Sequence, residues 1–492
     1  MSVKPVANCA EAYDLFHRGT LALARVEANG IRVDTAYLDK ARKQIAAKIA
    51  EMEADQRADP VYREWRKRFG EKTRMDSREQ LAEVVFNVLG HKSVGYTAKR
   101  RLRTDESALE AVDLPFVRRF VQLQKLKKAD GTYLAGLQRE VTPAGYIHPF
   151  FNLAGGNASD DGKGGAQSFR SSSSSPNFQN MPNRLELLRN IVRRSFVPRD
   201  GHQIVEFDFK GIEVTVAACY HKDPTMLKYV ADKSLDMHRD MAMLLFGLDK
   251  GQVDPKTTRH IAKNKFVFPQ FYGDFWASCA KAIWDELGRT KAAVLGTGVS
   301  VYDHLKAQGV RRLGDWDRET SPKDYAPKRG TLEHRVRELE RWFWEKKFPV
   351  YTEWKRKWYN DYLRRGYFDY YTGFRVAGHY KRNQVINYAV QGSAFHCLLW
   401  CLVTMQDWLD KNKMKSLIIG QIHDSLIMDV AEDELDVVIA KAKVIMSRQL
   451  LRHWDWIIAP MEVDFDVAPP GAPWLDKGAY QWINGKWTTV KK

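Results

Sequence analysis

The stretch QIVEFDFKGIEVTVAA, residues 203–218, limits what this chain can fold into more than any other. Gln203 to Phe209 have the β-branched and aromatic make-up of a buried strand, and Asp208 sits near its end. Five residues further on, past the Lys210-Gly211 break, Glu213 opens an apolar run. A carboxylate at the end of a core strand is costly unless something positive meets it. Either Asp208 caps the helix that follows, as Asp often does, or it ligates a cation.

Asp424 stands in the same situation, between the apolar strands SLIIGQ and SLIMDV and beside His423. Two such acids, each at a core strand, can meet on one sheet. They repel and raise each other's pKa unless a cation intervenes. Hard oxygen ligands with water in the remaining positions suit Mg²⁺, and two metals clamping the attacking and leaving oxygens serve phosphoryl transfer. A helix starting at Asp254-Pro255, an N-cap with proline at the first helical position, supplies the opposite charge. Arg259 and Lys263 are four apart and share one of its faces, positive towards a phosphate tail.

Composition points to a partner. Lys and Arg exceed Asp and Glu by 78 to 61, a net charge of +17, which favours nucleic acid before membrane. Residues 60–140 are helical and carry the basic runs REWRKR (Arg63 to Arg68), KRRLR (Lys99 to Arg103) and KLKK (Lys125 to Lys128), suited to a phosphate backbone. Five cysteines without a CxxC pair fit a reducing compartment rather than a zinc site. The N-terminus has no apolar signal core, and the longest apolar run, near Phe395 to Met405, is shorter than a bilayer span. The expectation is a cytoplasmic protein with no membrane partner. The 492 residues suffice for two to four domains or subdomains. Residues 285–332 read as a polar insertion, 332–365 as one long helix and 394–410 as an apolar helix. Asn484-Gly485 marks a hairpin.

Taken in order, these stretches resemble the family A DNA polymerases, from LARVEANGIRVD (Leu23 to Asp34) to PWLD (Pro473 to Asp476). QIVEFDFKGIE is similar to that family's first catalytic motif, which implies Asp208 and the Phe209 carbonyl as metal ligands and Glu213 as the residue under the sugar. QIHDS resembles the second carboxylate motif, with Asp424 the other ligand and His423 beside the primer. RHIAKNKFVFPQFYG resembles the nucleotide-binding helix, with Arg259 and Lys263 on the phosphates, Lys263 also a general acid, and Phe268 and Tyr272 near the sugar and base. LDMHRDMAMLLFGL places His238 where the family contacts the triphosphate. FRSSSSSPNFQNMPNR and NQVINYAVQGSAFH resemble its DNA-contacting segments, implying Arg170, Asn177, Gln179, Asn180, Asn387 and Gln391 on primer and template.

The resemblance implies a helix-rich α+β right hand with an antiparallel-sheet palm, helical fingers and a helical thumb. Its segments are 1–34 leading in, 35–140 thumb, 141–222 and 366–492 palm, and 223–365 fingers. It implies primer extension with dNTPs on primer-template DNA by two Mg²⁺ ions, with Mn²⁺ able to substitute. No exonuclease motif precedes Leu23, so proofreading is expected from a separate polypeptide, with replisome proteins as further partners in a bacteriophage-type enzyme.

Two departures bear on this. Ser425 follows Asp424 where most of the family has glutamate, as in single-subunit RNA polymerases; Glu213 argues for deoxyribose. A non-catalytic nucleic-acid-binding relative is the other alternative, opposed by the intact Asp208, Asp424, Arg259 and Lys263. The nucleotide helix is one residue longer than usual between Lys263 and Tyr272, with Pro269 inside it. A bulge near Lys265 to Pro269 is expected to restore the shared face of Arg259, Lys263 and Phe268; a straight helix would bring Lys265 into competition with Lys263.

Overall fold

The stretch around Asp208 forms strand β1, His202–Phe209, one residue longer than its composition suggests. The computed structural model describes residues 5–91, 102–104, 108–109, 112, 114–153, 166–183, 185–317, 320–321, 324–483 and 486–490. The chain divides into two compact units.

The sheet unit comprises residues 8–212, 394–454 and 461–492. Its six-stranded sheet adds β2 (Leu417–Ile422), β3 (Ser425–Ala431), β4 (Val463–Val467), β5 (Gly478–Ile483) and β6 (Lys486–Val490). The order is β6-β5-β4-β1-β3-β2, with every pairing antiparallel. Strand β1 is central, so one face buries Val205, Phe207 and Phe209 at 0–1% exposure. The alternation puts Glu206 and Asp208 on the opposite face. The β5–β6 hairpin forms as expected; its Asn484-Gly485 turn lies outside the described residues.

Helices Pro60–Phe69 and Pro115–Lys128 of this unit close on Trp65, Phe116 and Phe120, each 0–1% exposed. Asp59 caps the first of them, accepting from the Val61 amide at 2.9 Å, with Pro60 at the opening position. Arg63 and Arg66 are exposed, whereas Lys67 and Arg68 pair with Glu64 and Glu83. Most of the KRRLR run falls outside the described residues.

The helical unit comprises residues 1–7, 213–393 and 455–460. Its core gathers Met241, Leu245, Phe246, Ile261, Phe266, Ile283 and Phe343, all fully buried. Asp223 caps helix Pro224–Ala231 through bonds from the Thr225 and Met226 amides, as its Asp-Pro pair predicts. Three expectations need correction. The helix expected from Asp254-Pro255 begins at Thr258, because Asp254 spends its carboxylate on the Lys256 amide and the Thr257 hydroxyl in a preceding turn. The expected 332–365 helix is two, Leu332–Trp342 and Pro349–Arg365, joined by a wide turn at Phe343–Lys347; Pro349 lacks the N–H needed to continue the first. The apolar helix is longer than expected, Arg382–Lys411. Its length and composition suffice for a membrane span, yet 78% of its apolar window is buried inside the fold.

Candidate active site

Two sets of charged side chains assemble, one in each unit. In the sheet unit, β1 pairs with β3 so that Asp208 lies opposite Ser425, the residue after Asp424. Asp424 occupies the two-residue turn between β2 and β3, where His423 takes a left-handed φ of 50°. The Phe209 amide donates to the Asp424 carbonyl at 3.2 Å, which fixes the turn against β1. Burial pushes the Asp208 carboxyl up to about 7, with the Asp424 and Glu206 charges adding to the effect.

This sheet face holds more acid than the motifs announce. On β4, Asp464 lies opposite Asp208 and Asp466 opposite Glu206. Lys477 bridges Glu206 at 2.5 Å and Asp466 at 3.1 Å, and the Trp474 indole also donates to Glu206. Lys477 is thus bonded to the Glu206–Asp466 rung, and its charge offsets only part of the burial and like-charge repulsion at Asp208. An all-oxygen donor set, with a crowded carboxylate costly to ionise, fits a hard divalent cation. Among the described residues no group of three or more His, Cys, Asp or Glu side chains gathers around one point. Two carboxylates with the Phe209 carbonyl, the set the resemblance implies, would leave positions for waters and phosphate oxygens, as Mg²⁺ prefers.

Ser425 is 4% exposed and donates its hydroxyl to the Ile422 carbonyl at 2.9 Å, closing the turn instead of adding a third acid there. Gln179, expected on DNA, gives its amide to Gln421 at 2.6 Å and Ser171 at 2.8 Å. Gln421 in turn donates to the His423 carbonyl at 2.8 Å. Gln179 thus braces the carboxylate turn. Asn177 accepts the Asn180 amide as the cap of a short helical turn. Arg170 is half-buried beside them.

In the helical unit the helix that resembles the family's nucleotide-binding helix runs Thr258–Ala262, widens over Lys263–Val267 and closes as Phe268–Phe271. The bulge exists but starts two residues earlier than expected. The wide turn ends just before Pro269, whose missing N–H then falls in the first turn of the closing segment, where none is needed. The consequence is the shared face. Lys263 Nζ lies 5.1 Å from the Phe268 ring centre, and the His238 ring meets Phe268 edge-on at 5.5 Å. Arg259 pairs with Asp236 at 2.7 Å, and Asp236 also caps the helix bearing His238. Lys265 points elsewhere, 3.6 Å from Glu286. Replacing Lys265 by Ala is therefore expected to change nucleotide KM by less than about threefold in a steady-state assay.

Burial, then the nearby Arg259 charge, lowers the Lys263 pKa. Burial and the same two cations push His238 down to about 4, so its imidazole is neutral at pH 7, and its buried Nδ1 has no partner among the described residues. The Tyr272 hydroxyl donates to Glu213 Oε2 at 2.7 Å, tying the acid after β1 to the end of the nucleotide helix. Asn387 and Gln391 are half-buried four residues apart on helix Arg382–Lys411. Asn383 donates to the Gly273 carbonyl at 3.4 Å. Gly273 sits at φ 87°, and a Cβ there would meet Asn383 at 2.4 Å.

The motif reading missed Asp236, Lys477, Asp464 and Asp466. Asp236 was visible as an Asp directly before Met237-His238, a cap position. The β4 acids were not, because their meeting with β1 is a matter of sheet order.

The site thus combines a strand acid facing a turn acid on a central antiparallel sheet with a cationic helix in the helical unit. A family model described as DNA polymerase family A matches residues 36–294 and 350–471, and the chain belongs to that family. It is 27% identical over 468 residues to the thermostable DNA polymerase I of Thermus aquaticus, covering 92% of this chain and 47% of that protein. To DNA polymerase I of Bacillus subtilis it is 25% identical over 462 residues, covering 93% and 44%. The chain thus spans about half the length of these relatives. The POL domain of Pol1 from M. smegmatis, in complex with DNA primer-template and dNTP, matches with a TM-score of 0.68 at 20% identity, over 93% of this chain and 70% of that one. The shared fold is that of a family A polymerase domain.

Proposed function

We propose that the chain is a template-directed DNA polymerase that extends a primer 3′-OH with dNTPs and releases pyrophosphate. The observation that carries this reading is the coexistence of the Asp208–Asp424 pair with the bulge-aligned Arg259, Lys263, Phe268 and His238. Residues 35–140 would form the thumb, 141–222 with 366–492 the palm, and 223–365 the fingers. Asp208, Asp424 and the Phe209 carbonyl would hold two Mg²⁺ ions. These would supply an acidified primer hydroxyl and charge neutralisation on the leaving pyrophosphate.

The chain's own groups do the rest. Arg259, held by Asp236, and Lys263 bind the departing phosphates, while neutral His238 donates a hydrogen bond to them. Lys263, with its lowered pKa, can hand its proton to the pyrophosphate. Phe268 packs against the sugar. Arg170 and Gln391 can each donate to purine N3 and pyrimidine O2, which every correct pair presents alike in the minor groove, while Asn387 follows template and primer. The setting is phage-type replication in a bacterial cytoplasm.

The test is a matrix of four template bases against four dNTPs. The expected result is extension by the complement only; untemplated addition, or none, contradicts the reading. Glu213 explains the sugar. Held by the Tyr272 hydroxyl, its carboxylate would lie under the bound sugar, where a 2′-OH would clash with it. Glu213→Ala is expected to lower dNTP-over-rNTP selectivity at least about tenfold in competition assays, the order a lost steric gate gives. Unchanged selectivity removes the assignment.

A further inference from the structure

The nucleotide helix carries an inserted residue and an internal proline, both of which loosen it, yet its end is held. Gln270, between Phe268 and Tyr272, is 2% exposed, and both ends of its amide are bonded. Its Nε2 donates to Glu340 Oε2 at 2.6 Å, and its Oε1 accepts from the Trp344 indole at 2.7 Å. Glu340 also accepts the backbone amide of Trp276, the first residue of the next helix. One carboxylate thus spans the Phe271–Phe275 turn, with Tyr272 and Gly273 between its two attachments. Trp344 is itself fixed by Lys355, whose ammonium lies 3.0 Å from a Trp344 ring centre. These residues line a cavity of about 300 Å³ behind Tyr272, so the turn has space to collapse into if the clamp is lost.

We infer that Glu340, acting through Gln270 and with Trp344, is a positioning residue that holds Phe268 and Tyr272 at the nucleotide. The inference rests on the polymerase reading for its functional consequence, but the clamp has a readout of its own. Neither Glu340 nor Trp344 belongs to a motif that carries the chemistry; both lie some 70 residues after Gln270. A buried amide with both groups bonded tolerates one orientation, and loss of either partner leaves the other group unsatisfied. The effect should fall on nucleotide binding rather than on the metal-dependent step, since the clamp is built from Gln270, Glu340 and Trp344, none of them assigned to the metals.

The experiment compares wild type with Glu340→Ala and Glu340→Gln by amide hydrogen exchange over residues 263–276, thermal unfolding and steady-state incorporation. Glu340→Ala should speed exchange in that segment and raise dNTP KM about tenfold with kcat within about threefold. Glu340→Gln, which keeps an oxygen able to accept both bonds, should return both readouts to within about twofold of wild type. Unchanged exchange and KM in Glu340→Ala overturn the inference. So does a loss that tracks only a lower unfolding temperature and is not rescued by glutamine. If wild type itself fails to extend a primer, the polymerase reading falls, while the exchange data still decide the clamp.

Discussion

Asp208→Asn is expected to lower primer extension at least about 10³-fold, some 4 kcal/mol of transition-state stabilisation, while the metal-free protein becomes more stable at pH 8. The two effects have one cause. The Asp208 carboxyl is pushed from 3.8 up to about 7 by burial and by the Asp424 and Glu206 charges, so the native state holds its proton more tightly than the unfolded chain. Wherever the native state binds more protons, stability falls as pH rises. The metal-free wild type should therefore lose stability between about pH 4 and 7. Asparagine removes that slope and gains roughly 1–3 kcal/mol at pH 8. Added Mg²⁺ should reverse the ranking, raising the unfolding temperature of wild type and not of Asp208→Asn. Chemical or thermal unfolding at pH 5 and pH 8, with and without Mg²⁺, measures this. A variant less stable than wild type without metal would show that Asp208 is satisfied by the fold itself.

Lys263→Ala should cost about 10²–10³ in kcat/KM for dNTP, with the loss in both parameters, because in the proposed reaction the residue would both bind the leaving phosphates and protonate them. Its position depends on the bulge. Without the wide turn at Lys263–Val267, Phe268 would leave the face of Lys263, and the 5.1 Å approach between them would be lost. Arginine at 263 should restore binding more than kcat, since a guanidinium stays charged and is a poor proton donor. Equal rescue of both would remove the general-acid role and leave a purely electrostatic one.

The carboxylates, the basic helix and its irregularity were legible because each follows from local chemistry. An acid at a strand end, cations four apart and a proline inside a helix carry their meaning in a few residues. Even the helix-capping Asp223 followed from its neighbour Pro224. What escaped depended on pairings distant in sequence. Lys477 neutralises Glu206 from 271 positions away, and Gln179 braces Gln421 across 242. A glutamine in a DNA-contacting motif gives no sign in sequence that the fold also sets another amide against it. The 332–365 stretch misled for a different reason. Its helical periodicity is real on both sides, and only Pro349 and the widened turn before it show that the chain stops and restarts.

The most direct test of the carboxylate site is single-turnover incorporation of one complementary dNTP into a primer-template, in Mg²⁺, by wild type and Asp424→Asn at matched DNA occupancy. The predicted result is one added nucleotide with stoichiometric pyrophosphate for wild type, and a rate at least about 10³-fold lower for the variant with DNA binding retained. Comparable rates for the two proteins would contradict the account.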